Sequence, residues 1–383
     1  RYDQLERRMK FPDESAQNRF DWKQSKAFIG EIEGFLAVLE DRLIEFKEVY
    51  FRGMTLTEEE MIELFYFKFT ETPLLNRMDA IKDYFIDSWE TLNGRNISDD
   101  DQETLQIKFD KMYKTKDIYA IYNWMLEDCG CNLLPDVPYE KRKLPYEDVF
   151  PMLYLKYRLS GGNSTHKNIK HLVIDEMQDY SYLQYTILEM LFHCRMTILG
   201  DRAQTLDTKQ QDVLRFLPKL LGREIRTIEI KKSYRNTLEI ARYAEKVSGV
   251  SDLELLDRHG KEVVEKTFNT DTELLDELVC HLKCPGDFET AALITTTEEE
   301  AFDLSRLLKL RGINVSYVDR NSSAFKKGLT VTTFYLAKGL EFDQVFALRG
   351  AKENPLKNQA EYICATRALH ELYVYEIADS LSK

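Results

Sequence analysis

The chain has 383 residues, 43% hydrophobic and 31% charged, with only 16 Gly and 9 Pro. That composition excludes collagen-like, low-complexity and generally disordered classes and points to two or three packed domains. The 53 Lys and Arg against 66 Asp and Glu give a charge of −13, no run of about 18 uncharged apolar residues occurs, and the six Cys make no disulfide framework, so a cytoplasmic chain without a membrane span is expected.

In chain order, Phe28, Ile32, Phe35, Leu39, Leu43, Phe46 and Tyr50 recur every three or four positions, one stripe of a long amphipathic helix. Thr57 followed by Glu60 forms a capping box before a helix over 61–69. Pro73 stands where a helix can begin, and 75–89 carries another stripe. Positions 93–101 read as a polar loop, 105–126 as helix, and 133–140, with Pro135 and Pro138, as a linker. Residues 1–140 hold 18 basic and 30 acidic side chains, a balance of −12, whereas 141–383 hold 35 and 36. An acidic module repels phosphate backbones and suits a basic protein surface; a merely solvated face carries the same signature.

Beyond about residue 141 the pattern changes. Short apolar runs at 171–175, 196–200, 227–230, 290–295, 314–318, 329–333, 344–348 and 372–375 alternate with helical stretches such as 299–310. Strands alternating with helices imply βαβ units and parallel sheets, whose ligands bind at the carboxyl ends of strands.

Five polar clusters fall near those ends. In His-Leu-Val-Ile-Asp-Glu-Met-Gln-Asp (171–179) an apolar strand runs into Asp175 and Glu176, a pair suited to a magnesium shell and to deprotonating a water; an acidic turn explains it equally well. Ile-Leu-Gly-Asp-Arg-Ala-Gln (198–204) offers Gln204 as a reader of a γ-phosphate, or only a turn at Gly200. Lys-Ser-Tyr-Arg-Asn (232–236) offers Tyr234 as a flat face for a base and Arg235 as a phosphate fork, or a surface ion-pair partner. In 332–343 Gly339 permits close backbone approach and Glu341 can accept from ribose hydroxyls; in Ala-Thr-Arg-Ala (365–368) Arg367 is a candidate arginine finger.

Each cluster is weak singly; five in this order are specific. The set resembles superfamily 1 helicases of the UvrD and Rep kind, and within them the HelD branch, the helicase IV-like proteins that bind bacterial RNA polymerase. Asp175-Glu176-Met177-Gln178-Asp179-Tyr180-Ser181 resembles that branch's Asp-Glu-Ala-Gln-Asp-Tyr-Ser. The run Lys338-Gly339-Leu340-Glu341-Phe342-Asp343 is similar to its fifth motif, with Tyr335 where UvrD-type motors usually carry His. The resemblance covers roughly 144–376 and implies an α/β fold. Residues 1–140 would be an acidic all-helical arm or clamp, 141–222 the C-terminal part of a first RecA-like motor domain, and 223–383 a second.

It also implies roles. Asp175 would be the magnesium-shell carboxylate, Glu176 the catalytic base and Arg367 the finger. Gln204 would couple the γ-phosphate to the nucleic-acid site, Tyr234 would stack on adenine, Arg235 would touch the γ-phosphate, and Gly339 and Glu341 would line the nucleotide. The implied ligand is ATP with Mg2+. The implied partners are DNA, single-stranded or in a transcription complex, and RNA polymerase, with the protein a monomer.

Three departures qualify the resemblance. No Gly-x-x-x-x-Gly-Lys-Ser/Thr loop occurs in the 383 residues, and the chain opens at Arg1 without Met or a leader, as a piece of a longer protein does. The expectation is therefore an ATPase as a whole protein and an inactive C-terminal piece. Thr205-Leu206-Asp207-Thr208 supplies no aromatic for stacking on single-stranded bases. Between Arg235 and Lys338 there is no room for the large helical insertion of UvrD motors. Two alternatives stay open: a UvrD-like 3′→5′ repair helicase and an ATP-independent RNA polymerase-binding scaffold. Cys129 and Cys131 lack a second ligand pair, Cys280 and Cys284 read as helix packing, and the six His show no ligand spacing.

Overall fold

The computed structural model describes residues 5–6, 13–162, 166, 168–206, 213–222, 225–249, 254–283, 288–322, 327–349 and 356–378. They fall into two units, one of Glu14–Leu172 with Ser181–Thr197 and the other of Arg1–Asp13, Val173–Tyr180 and Ile198–Lys383. No helix among the described residues is long and apolar enough to cross a membrane.

The first unit is built on the predicted stripe. Helix α1 (Glu14–Lys23) precedes α2 (Lys26–Leu43), whose Phe28, Ile32, Phe35, Leu39 and Leu43 are buried along one face. The stripe runs past the helix. Ile44 bridges to Tyr113, and Tyr50 lies in β1 (Val49–Phe51), which pairs antiparallel with β2 (Met54–Leu56) across a two-residue turn. A small hairpin thus sits within the expected helical module. The capping box forms as read: Glu60 N donates to Thr57 Oγ1 at 3.2 Å, and Thr57 N donates back to Glu60 Oε2 at 2.9 Å. It opens α3 (Glu58–Glu63), which runs on as a π-helical turn, Leu64–Lys68.

Helix α4 (Arg77–Asn93) follows Pro73. The single helix expected over 105–126 is two, α5 (Asp99–Asp110) and α6 (Ile118–Asp128), because Asp117 caps a new start by accepting from Tyr119 N at 3.0 Å. Helix α7 (Tyr146–Ser160) adds Tyr154, Leu155 and Leu159 to the same core. The chain leaves this unit along β3 (His171–Ile174), returns for α8 (Tyr182–Leu191), and leaves again along β4 (Arg195–Ile198), which pairs with β3.

In the second unit come α9 (Val213–Leu221), β5 (Lys232–Ser233), α10 (Leu238–Ser248) and β6 (Glu254–Leu255). Then follow β7 (Val264–Phe268), α11 (Asp271–Lys283), β8 (Thr290–Thr295), α12 (Glu298–Leu310), β9 (Ser316–Tyr317) and β10 (Gly328–Thr333). The last elements are β11 (Phe342–Arg349), α13 (Lys357–Arg367) and β12 (Ala368–Ile377). Strands β7, β12, β11, β8, β10 and β9 form, in that order, a six-stranded sheet whose neighbours are all parallel.

Period-2 alternation divides its side chains between two cores. Ala292, Ile294, Val345, Ala347, Leu372 and Val374 pack with α10 and α13; Leu293, Phe346, Tyr373 and Tyr375 pack with α11 and α12. Covered on both faces, the sheet has the layering of the expected α/β fold. One expected strand is missing. Residues 227–230 form none, and Ile228 and Ile230 stand 70% and 80% exposed. Their alternation satisfies the strand pattern, but no described residue pairs with them. Cys284 lies outside the described residues.

Candidate functional site

All eight site residues expected from the sequence belong to the second unit. Strand β3 ends at Ile174, and the next carboxylate, Asp175, is exposed and accepts at Oδ1 from the Glu176 N–H at 2.8 Å. Glu176 has φ 53°, a left-handed conformation that a non-glycine residue adopts only when its surroundings hold it there. Its Oε2 accepts from Gln178 Nε2 at 2.6 Å and lies 3.4 Å from Lys338 Nζ.

Lys338 is the hub. Its side chain is only 8% exposed, and its ammonium also donates to Asp179 Oδ2 at 3.0 Å and to the Gln204 carbonyl at 3.1 Å. A buried ammonium needs such partners, because loss of water around it is otherwise uncompensated.

The end of β4 lies against this turn because Gly200 has no side chain: a Cβ there would stand 2.5 Å from Gln178 Oε1 and Met177 Cγ and 2.7 Å from Met177 N. Leu199 N donates to Ile174 O and Met177 N to Leu199 O, both at 2.8 Å. Asp201 then organises the next turn. Its Oδ1 accepts from Ala203 N at 2.9 Å, and its Oδ2 accepts from Gln204 Nε2 at 3.0 Å and from Tyr362 OH at 2.8 Å. Burial first, and then Asp201, push the Tyr362 hydroxyl above its ordinary range, so it remains a donor.

Arg367, buried at the end of α13, donates through Nη2 to Gln204 Oε1 at 3.2 Å and through Nη1 to the Leu340 carbonyl at 3.3 Å. Burial, and next the Arg235 guanidinium, hold its pKa below the usual arginine value, with Glu176 and Glu341 opposing. It stays cationic. Arg235 pairs with Glu341 Oε1 at 2.7 Å, both half-exposed. Gly339 has φ 81°, and no described residue lies within 4 Å of where its Cβ would be.

The fold therefore gathers Glu176, Gln204, Arg235, Glu341 and Arg367 into one electrostatic cluster. Among the described residues, Asp175 joins it through the Glu176 N–H. Tyr234 makes no bond to it; its ring is 60% exposed, with Lys232 Nζ 6.0 Å from the centroid. Sequence reasoning missed Lys338, Asp179, Asp201 and Tyr362 as members. The first three lay within the motif strings, but a lysine meeting an acid 159 positions away leaves no local signal.

For magnesium, Asp175 offers an exposed carboxylate, the hard donor that a hydrated divalent cation takes through one or two carboxylates and phosphate oxygens. Among the described residues no group of three or more His, Cys, Asp or Glu could hold a metal by itself.

No curated protein matches the chain. Among solved structures it is similar to the C-terminal domain of a possible DNA helicase from Lactobacillus plantarum WCFS1, at 26% identity over 38% of this chain and 88% of that one, TM-score 0.32. It is also similar to the PRRSV helicase, at 16% identity over 69% and 46%, TM-score 0.33. A third similar structure is Arterivirus nonstructural protein 10, a helicase in complex with DNA, at 19% identity over 69% and 52%, TM-score 0.34. The chain thus spans about half the length of each viral protein. The model of the UvrD/REP helicase N-terminal domain matches residues 10–206, and the chain belongs to the UvrD/REP helicase family.

Proposed function

We propose that the chain is part of an ATP-dependent DNA helicase or translocase of the HelD type, coupling nucleotide hydrolysis to domain motion on transcription complexes. The observation that carries the nucleotide reading is the Arg367–Gln204 hydrogen bond, 3.2 Å long, inside a cluster that also holds Glu176 and Arg235. Cations and a carboxylate base drawn from distant parts of a chain serve phosphoryl transfer, whose catalysis is positioning plus charge stabilisation.

In this reading Glu176 takes the proton of the attacking water, with Gln178 and Lys338 holding its carboxylate. Arg235 and Arg367 face the γ-phosphate, Gln204 reports its presence through Arg367, and Tyr234 offers its exposed ring to adenine. Gly339 and Glu341 border the sugar and phosphates. Asp175 would hold Mg2+, which when bound offsets the charge on the phosphate oxygens. Because the 383 residues contain no phosphate loop, we propose that they bind nucleotide without turning it over.

Equilibrium binding of a fluorescent ATP analogue with Mg2+ tests this. Saturable binding weakened about tenfold or more by Arg235→Ala and by Arg367→Ala is expected. Binding indifferent to both, or none, rejects the site. Turnover by the chain on its own would reject the claim about the phosphate loop only.

The HelD assignment and the RNA polymerase partner rest on the motif resemblance and on the −12 balance of residues 1–140, suited to a basic channel. Co-sedimentation of the chain with bacterial RNA polymerase core is expected. Its absence at micromolar concentration removes the branch assignment and leaves the broader helicase one.

A further inference from the structure

Leu5 and Glu6 precede the whole helical unit in sequence, yet they belong to the second unit. Leu5 is buried in the core that also holds Phe334, Tyr335 and Ala337. Glu6 is 8% exposed, and its Oε1 accepts from the Glu298 N–H at 2.6 Å and from the Tyr335 hydroxyl. Those two donors lie 292 and 329 positions further along the chain. Burial first, and then the bond to Glu6, hold the Tyr335 hydroxyl well above its ordinary range, so it remains the donor.

Helix α12 has little need of this carboxylate. Its first turn already carries Glu298, Glu299 and Glu300, and its capping box of Thr297 and Glu300 is complete. A further acid is repelled by those three, and Arg320 offsets only part of their charge through Glu298 Oε2 at 2.8 Å. What Glu6 adds is the link to Tyr335. Tyr335 lies on the turn between β10 and β11, and Lys338 lies on the same turn. Ala337 N donates to Thr333 O at 2.9 Å and Leu340 N to Ala337 O at 3.0 Å, so the turn is short and internally bonded. Its Lys338 ammonium reaches Glu176, Asp179 and the Gln204 carbonyl.

We propose that Glu6 and Tyr335 are positioning residues: Leu5 and Glu6 clasp the 334–340 turn and so hold Lys338 on Glu176, Asp179 and the Gln204 carbonyl. The consequence for chemistry rests on the nucleotide reading, through the role of Glu176, but the clasp is measurable with no ligand present. The position needs an acceptor rather than a charge. Glutamine keeps a side-chain oxygen for both donors, whereas alanine leaves the buried hydroxyl and the Glu298 N–H without it.

The test is competitive acetylation of the whole chain with acetic anhydride, with the rate at each lysine read by mass spectrometry. Lys246 and Lys327, with side chains 76% and 80% exposed, serve as internal references. In the wild type Lys338 is expected to react far more slowly than either. In Glu6→Ala and in Tyr335→Phe it is expected to react about tenfold faster, and no faster still in the double variant. Glu6→Gln is expected to stay close to wild type. Leu278→Ala, which truncates the other core of the sheet, controls for general loss of stability and is expected to leave Lys338 slow. Tyr335→Phe keeps the ring in the core, so the comparison survives if Glu6→Ala fails to fold. A Lys338 as reactive as the references in wild type overturns the proposal. So does a Tyr335→Phe chain with wild-type protection, or acceleration in Leu278→Ala equal to that in Tyr335→Phe. Failure of nucleotide binding removes the role of Glu176 and leaves the labelling result to decide the clasp.

Discussion

Arg367 donates to Oε1 of Gln204 across 163 positions of sequence, and this bond fixes which way the glutamine amide points. With Oε1 taken by the guanidinium and Nε2 by Asp201, a flipped amide would set donor against donor and acceptor against acceptor. Arg367→Ala strands the Gln204 oxygen and the Leu340 carbonyl without their donor. The expected loss is about 1–3 kcal/mol in urea unfolding, beside the loss of nucleotide affinity. Arg367→Lys keeps the charge but supplies fewer, differently placed donors, and is expected to fall between the two.

The two motif glycines are expected to fail for different reasons. At Gly339 a Cβ meets no described residue within 4 Å, but φ is 81°, so Gly339→Ala is expected to cost the backbone strain, about 1–2 kcal/mol. At Gly200 the Cβ would strike the Met177 backbone at 2.7 Å, and Gly200→Ala must push β4 away from the Glu176 turn. An unfolding loss of about 1–3 kcal/mol is expected there, together with faster amide exchange at Met177, which Gly339→Ala should leave unchanged. Equal exchange in the two variants would refute the distinction.

Much of this architecture was legible because local rules coincide with tertiary ones. Residues 290–295 read as a strand and form β8, since an apolar run in a doubly covered parallel sheet has no other place. Strand β7 was not legible: Val264-Glu-Lys-Thr-Phe268 buries only its last residue and lies at the sheet edge, where polar side chains are tolerated. Residues 227–230 misled in the opposite sense, because alternation describes a strand's faces but not whether a partner exists. The candidate site shows the same division. Asp175, Glu176 and Arg367 follow from residue type and motif order, whereas Lys338 binding Glu176, Asp179 and the Gln204 carbonyl follows only from chain folding.

In the helical unit, Lys23 is 4% exposed and bonds Asp148 Oδ1 at 2.5 Å, with Asp148 itself 2% exposed and accepting also from Tyr122 OH at 2.8 Å. Breaking such a pair from one side leaves a buried carboxylate uncompensated. Lys23→Met is therefore expected to destabilise by about 3–5 kcal/mol, and Lys23→Met with Asp148→Asn to recover a good part of it, since the amide oxygen still accepts from Tyr122. Denaturant midpoints of the wild type and of both variants measure this. A double variant no better than the single one would show that packing of the Lys23 stem, not the charge, matters there.

The loop that positions Arg258 carries a titrating link. His259 Nδ1 lies 2.8 Å from Glu239 Oε1 and His259 Nε2 lies 3.0 Å from Asp257 Oδ1, while Glu239 Oε2 accepts from Gly260 N at 2.8 Å. The hydrogen bond to Glu239, and then Asp257, raise the His259 pKa above 6.5, while His259 first, and then the backbone donors, hold Glu239 down to about 2. The histidine contribution is complete below pH 6.5 and fades as pH rises through its elevated pKa; the glutamate contribution is complete above pH 4.5 and fades as pH falls through about 2. The link is thus whole between those limits and weakens on the alkaline side first. Carbon-bound proton NMR should find His259 titrating above 6.5, and Glu239→Gln should lower that value, Asp257 retaining part of the elevation. Because Arg258 is the next residue and holds the Arg235 carbonyl, amide exchange at Gly260 should quicken above the His259 midpoint in wild type and at lower pH in Glu239→Gln. Exchange that follows only the intrinsic pH dependence in both proteins would separate this histidine from the loop's order.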